Sequence, residues 1–288
     1  MFAAITPISR TVCVCVLSCQ LTHPLTVTST VPQLRYRLDV EGAMYPADVT
    51  LPRLTSYELY LEPSTPVTPF DRLSSDHLRS LRLSGDCHLN PEASFPALRH
   101  LTIRSVTSNA FDRVRFHSLL TTSQLESFTH AQGDRLGFEI RNVHLESIVD
   151  GPGRALRKLV LLGSTCLTTS VIATCVRNLP MLEYFALALV TVNELREDFV
   201  VALGPSLRTL KLQITHAWYA VPLLDEERIL CNSLEERVLS PKSRLHTIYV
   251  SFHNRLMVED GREERWKCIA HAQHLTLKIG SWEDNEEA

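Results

Sequence analysis

The sequence predicts an α/β fold in which short parallel strands alternate with helices, and two regularities predict it. The first is a recurring apolar frame, L-x-x-L-x-L. It stands at Leu78, Leu81 and Leu83, at Leu98, Leu101 and Ile103, and at Leu156, Leu159 and Leu161. It returns at Leu182, Phe185 and Leu187, at Leu207, Leu210 and Leu212, and at Leu245, Ile248 and Val250. The last two apolar residues of each frame are two apart and share one face of a strand. The second regularity is a proline ahead of the frame: VPQL at 31–34, LPRL at 51–54, FPAL at 95–98 and LPML at 179–182, with GPSL at 204–207 as a variant. Proline lacks an amide donor and disfavours helix for the residue before it, so each one feeds the chain extended into a strand. Repeats of this kind, with helices between them, predict a leucine-rich-repeat solenoid. A curved parallel sheet would form its concave side and helices its convex side.

Repeats also favour one domain over two for a chain of 288 residues, since a solenoid grows by adding units to one continuous core. The predicted organisation is an irregular segment or cap over 1–30, a repeat domain over 31–280 and an acidic tail over 281–288. The content is ordinary for a globular protein, 44% hydrophobic and 21% charged. With 29 basic and 32 acidic residues, no broad basic field exists to attract nucleic acid. Eight cysteines show neither zinc-site spacing nor the density of a disulfide scaffold, which favours reduced, buried thiols and a cytoplasmic or nuclear location.

Taken in order, Thr11 to Leu21 is an apolar run too short to span a bilayer and flanked only by Arg10. It reads as a strand or terminal segment, with a secretory signal and an extracellular recognition protein as the alternative. Aligned on VPQL, the first frame puts Arg37 and Asp39 where apolar residues belong, so a bulge or an atypical cap is expected there. Weaker frames stand at Leu54, Tyr57 and Leu59, at Leu125 with Phe128, and at Ala272, Leu275 and Leu277. Helical periodicity predicts helices over 170–179, over 193–203, over 223–239 through Leu224, Ile229, Leu234 and Val238, and over 262–272 through Trp266, Ile269 and Ala270. Most intervals between frames suit leucine-rich repeats of about 20 to 29 residues, giving about eight to ten repeats. The longer stretches after Leu125 and Leu207 must leave the regular pattern.

The segments LRSLRL at 78–83, FPALRHLTI at 95–103 and LPMLEYFAL at 179–187 resemble the repeat region of the fungal class of F-box-like leucine-rich-repeat proteins. The resemblance covers about 31–279 and implies a substrate-recognition role in a ubiquitin-ligase-type complex. The adaptor-binding F-box of that class has no counterpart before Val31, so ligase subunits are partners only if an F-box is supplied.

No catalytic, cofactor or metal constellation stands out, and the chain reads as a non-enzyme. An α/β hydrolase or transferase would need a nucleophile or cofactor loop, and none is visible. Cys268, His271 and His274 lack a paired second cluster, and the end of a helix suits the two histidines better than a metal. Gly151 and Gly153 precede a strand rather than follow one, which suits a turn rather than a phosphate loop. The informative positions alternate with the frame residues and face the concave wall. They give a protein-binding surface of Arg82, His100, Arg104, Lys158, Val160, Leu162, Tyr184, Lys211 and Tyr249, with Val160, Leu162 and Tyr184 as an exposed apolar patch and arginine and lysine at its rim; the alternative is that Val160 and Leu162 belong to a strand covered by a neighbouring loop or by the N-terminal segment. The expected partner is a protein bound by a monomer, without nucleic acid, membrane or cofactor.

Overall fold

The computed structural model describes residues 13–15, 33–38, 56–61, 78–85, 94–107, 120, 123–132, 137–191, 195, 198–239, 244–258 and 261–282, with the first three stretches and Val238 as backbone alone. The chain divides into two compact units. Described residues up to Leu125, with Gly137 and Phe138, make the first; residues 126–132 and those from Glu139 onward make the second. Both are α/β or β in content, with parallel pairing throughout.

The first unit holds β1 (Cys13–Cys15), β2 (Gln33–Leu38), β3 (Ser56–Leu61), β4 (Ser80–Gly85) and β5 (His100–Val106), each paired in parallel with the next. Leu81, Leu83, Leu101 and Ile103 are each 1% exposed, so the frame residues are core residues. β2 corrects the reading of the first frame. Leu34 pairs with Tyr57 and Tyr36 with Leu59, so Leu34 occupies the second apolar place of the frame, and β2 runs to Leu38 without a bulge. The apparent shift came from aligning on the proline rather than on the pairing. The bulge lies in β5 instead, where Gly85 pairs with Val106 and Ser105 adopts φ 51°. Gly137 packs against this strand end so closely that a Cβ would stand 2.2 Å from the carbonyl oxygen of Val106, which restricts that place to glycine.

The second unit holds β6 (Ser127–Ala131), β7 (Lys158–Ser164), β8 (Tyr184–Thr191), β9 (Thr209–His216), β10 (Thr247–Ser251) and β11 (Thr276–Ile279), again parallel and paired in chain order. Leu159, Leu161, Phe185, Leu187, Leu210 and Leu212 are fully buried on one face. One backbone contact repeats from strand to strand. The carbonyl of Glu126 accepts from the amides of Arg157 and Lys158, that of Arg157 from Glu183 and Tyr184, that of Glu183 from Arg208 and Thr209, and that of Arg208 from His246 and Thr247. Each acceptor follows the first leucine of its frame, so the sequence frame and the hydrogen-bond ladder share one register. Before the frame, the carbonyl of Leu179 accepts from the amide of Leu182 and that of Gly204 from Leu207. These are four-residue turns with Pro180 and Pro205 at the second place, where a fixed φ suits the turn and no donor is lost.

Register past the frame differs between neighbouring strands. Two residues past the second apolar pair partner, β7 has Gly163 at φ 72° and breaks register. β8 and β9 have Leu189 and Ile214 at that place and continue as strand for eight residues each. β11 departs from the expected frame by two positions. Leu277 pairs with Ile248 and Ile279 with Val250, so the frame begins at His274 rather than Ala272.

Helices join the strands: α1 (Asn142–Asp150), α2 (Thr169–Arg177), α3 (Leu224–Ser233), α4 (Asn254–Val258) and α5 (Arg262–Ala272). α2 starts where Thr168 accepts from the amide of Val171 at 3.4 Å, and the Asn142 side chain receives the Thr168 amide at 3.0 Å. α3 continues into a π-helical turn over Leu234–Val238, so its buried side is Glu227, Leu230, Cys231 and Leu234. Ile229, expected inside, is 54% exposed. Of the helix expected over 193–203, the described residues show a short 3-10 turn, Phe199–Ala202, with Asp198 accepting from the amide of Val200 at its start, while residues 193, 194, 196 and 197 lie outside the described residues. In α5, Trp266 and Ala270 are buried and Ile269 is partly so. Gly151 and Gly153 belong to the turn after α1, Pro152–Ala155, which delivers the chain into β7.

Candidate functional site

Alternate residues of β7–β11 project to the face opposite the buried leucines. Pairing sets them in rows. Lys158, Tyr184, Thr209, Thr247 and Thr276 form one, and Val160, Ala186, Lys211, Tyr249 and Lys278 form the next. No Asp or Glu stands at these alternate positions.

Lysine and aromatic rings interleave across the rows. The Lys158 ammonium lies 5.1 Å from the centre of the Tyr184 ring, and Lys211 lies 5.2 Å from Tyr184 and 5.3 Å from Tyr249. Lys278 lies 5.7 Å from Tyr249 on its other side. Each contact is within the range at which a ring face attracts a cation, worth about 0.5 to 1 kcal/mol where solvent reaches it. The rings thereby hold three ammonium groups along one surface.

Trp282 completes the face. It is 7% exposed and packs with Val160 and Ala186, both fully buried, while Leu162, Tyr184 and Tyr249 border the cluster. Its indole Nε1–H donates to the Leu212 carbonyl at 3.3 Å, and Lys211 stands 5.6 Å from its ring. This corrects the reading of Val160 as part of an exposed patch. Val160 is apolar because it is covered, and the cover is a residue that follows the last strand. Tyr184, Lys158, Lys211, Tyr249 and Leu162 are half-buried members of the same face. Arg82 and Arg104, half-buried, and His100, exposed, lie in the first unit.

A second polar cluster escaped the sequence reading. The fully buried carboxylate of Glu227 on α3 contacts His216 Nε2 at the end of β9 and accepts the His253 amide at 2.9 Å. Nδ1 of His216 shares a hydrogen bond of 2.9 Å with the hydroxyl of Thr191. Hydroxyl, imidazole and carboxylate in series resemble a proton relay. However, Thr191 is 3% exposed, so its oxygen is closed to a substrate, and the chain Thr191–His216–Glu227–His253 acts as a pin between β8, β9, α3 and the segment after β10. No local spacing announces it, because its members come from four separate segments.

The histidines considered for a metal have another role. Leu275 donates its amide to the Ala270 carbonyl and His274 to that of His271, with His274 at φ 55°. That is a Schellman closure of α5, with histidine where glycine is usual. Among the described residues no group of three His, Cys, Asp or Glu side chains could hold a metal ion, and no helix is long and apolar enough to cross a membrane. Cys166, Cys175, Cys231 and Cys268 are free thiols. Burial, reinforced by Glu146 and Asp150, pushes the Cys175 thiol up to about 12.

Compared with family models and with curated proteins, the sequence finds no significant match.

Proposed function

We propose that this chain is a protein-interaction module, a leucine-rich-repeat solenoid that receives a protein partner on the face carrying Lys158, Tyr184, Lys211 and Tyr249. The interleaving of half-buried aromatic rings with ammonium groups carries this reading, since aromatic anchors set among charged groups are what protein-binding surfaces concentrate. The recurrence of one carbonyl contact from β6 to β10 supports the repeat architecture. A role in substrate recognition for a ubiquitin-ligase-type complex follows from the resemblance of the repeats and requires an F-box supplied with them. The cytoplasm or nucleus suits the free thiols.

The test is affinity capture with wild type and the folded variants Tyr184→Ala and Lys211→Ala. A partner retained by wild type and lost from both variants supports the reading. The same partners retained equally by all three proteins would remove the function from this face.

A further inference from the structure

A cleft of about 330 Å³ opens in the second unit where α1 and α2 end, between Val149, Asp150, Arg154, Asn178 and Pro180. That volume stands at the small end of ligand sites, which run from about 300 to 1,000 Å³. Its polar groups are exposed and unengaged: among the described residues the side chains of Asp150, Arg154 and Asn178 make no hydrogen bond or ion pair. Asp150 and Arg154 have a spacing that would pair them within one helix, but the turn at Gly151 and Pro152 separates α1 from the 3-10 helix that carries Arg154. A carboxylate and a guanidinium therefore border one cleft without meeting. Asp150 is also badly placed for the empty protein, because it is the last residue of α1, where the helix dipole is negative, and the last turn holds no basic residue to offset it. The field reaches inward: burial first, then Glu146 and Asp150, raises the thiol of Cys175 to about 12. Buried Val149 and exposed Pro180 give the cleft an apolar wall.

We propose that this cleft binds a small zwitterion, a free α-amino acid with an apolar side chain. Asp150 receives the ammonium at the negative end of α1, Arg154 and the Asn178 side-chain amide donate to the carboxylate, and the ligand's side chain lies on Val149 and Pro180. A guanidinium suits that carboxylate because it offers two parallel donors. A ligand carrying both charges closes the gap that the turn at Gly151 leaves between Asp150 and Arg154. A simple anion or cation engages one protein charge and leaves the other unpaired, which is the basis of selection between them. None of these residues belongs to the lysine and tyrosine face, so the inference goes beyond the interaction reading and does not rest on it.

The experiment follows backbone amide chemical shifts of the full chain during titration with L-leucine, with isocaproate, which lacks the ammonium, and with isoamylamine, which lacks the carboxylate. Saturable shifts centred on Gly151 and Asn178 are expected with L-leucine. Each analogue should bind about fivefold more weakly, the scale of one exposed ion pair. Asp150→Asn and Arg154→Gln, both at exposed positions, should each weaken L-leucine by a similar factor. Crossing ligands with variants separates the roles: isocaproate should bind Asp150→Asn at least as well as wild type, because it has no ammonium to lose, and isoamylamine should be indifferent to Arg154→Gln. Absence of saturable L-leucine binding, or equal binding by wild type and both variants, would overturn the proposal. So would a loss of isocaproate binding in Asp150→Asn as large as that of L-leucine, which would make Asp150 a prop of the cleft rather than a contact.

Discussion

The indole of Trp282 donates to the carbonyl of Leu212 across a separation of 70 residues, and this bond ties a residue beyond the last strand to the middle of β9. The contact lies on the face opposite the leucine core, so its energetics are separate from those of the frame. Leu210→Ala or Leu101→Ala should cost about 2 to 5 kcal/mol, because each empties a fully packed site. Trp282→Ala should cost less than either, measured by urea denaturation, since the indole keeps 7% of its surface exposed where the leucines are sealed. A larger loss for Trp282→Ala would make the indole as much a part of the core as the leucines.

Glu227 should matter more than its distance from any site suggests. Glu227→Ala strands the His253 amide and removes the partner of His216 Nε2, leaving buried groups unsatisfied at a cost of about 1 to 3 kcal/mol each. Glu227→Gln, which keeps an acceptor, should fall between the variant and wild type. Thermal unfolding of the three proteins gives the order.

His274→Gly should stabilise the fold. A left-handed conformation costs an L-residue roughly 1 to 2 kcal/mol, and glycine returns part of that through its own unfolded-state entropy. The expected gain is up to about 1 kcal/mol in chemical denaturation, whereas Gly137→Ala, which drives a Cβ into a backbone carbonyl, should destabilise strongly.

Acid stability should depend on Glu235. Burial alone would raise its pKa, but hydrogen bonds from Arg265 and the Trp266 indole and the nearby charge of Arg262 outweigh burial and hold it below the usual carboxylate range. A folded pKa below the unfolded value of about 4.3 means that its stabilisation is present above that pH and is lost as pH falls through the lower folded value. Glu235→Gln should therefore show a smaller decline in stability over that acidic window than wild type. An identical decline in both proteins would remove Glu235 from the acid response.

Much of this was legible in the sequence, and the parts that were not share a cause. The frames at Leu81, Leu101, Leu159 and Leu210 reveal their strands because each is complete within a few residues. Proline marked the turns at Pro180 and Pro205 correctly but misplaced Leu34, since a turn's distance from its strand is variable while pairing is not. At β11, Gln273 and His274 are consumed in closing α5, which shifts the frame by two. Val160 suggested an exposed patch because its cover, Trp282, lies far along the chain in what reads as an acidic tail. The one available signal was a large indole beside four carboxylates, a residue that water alone does not suit.

Photo-crosslinking from single positions shows whether partners bind the lysine and tyrosine face. A photoreactive phenylalanine analogue replaces Tyr184 or Tyr249 on the face, Val143 on α1, which is 64% exposed, or Trp218 in the loop after β9, which is 94% exposed. A covalent adduct with the captured partner is expected from Tyr184 and Tyr249 and none from Val143 or Trp218. Adducts from Trp218 with none from Tyr184 would instead place recognition on the loop that follows β9.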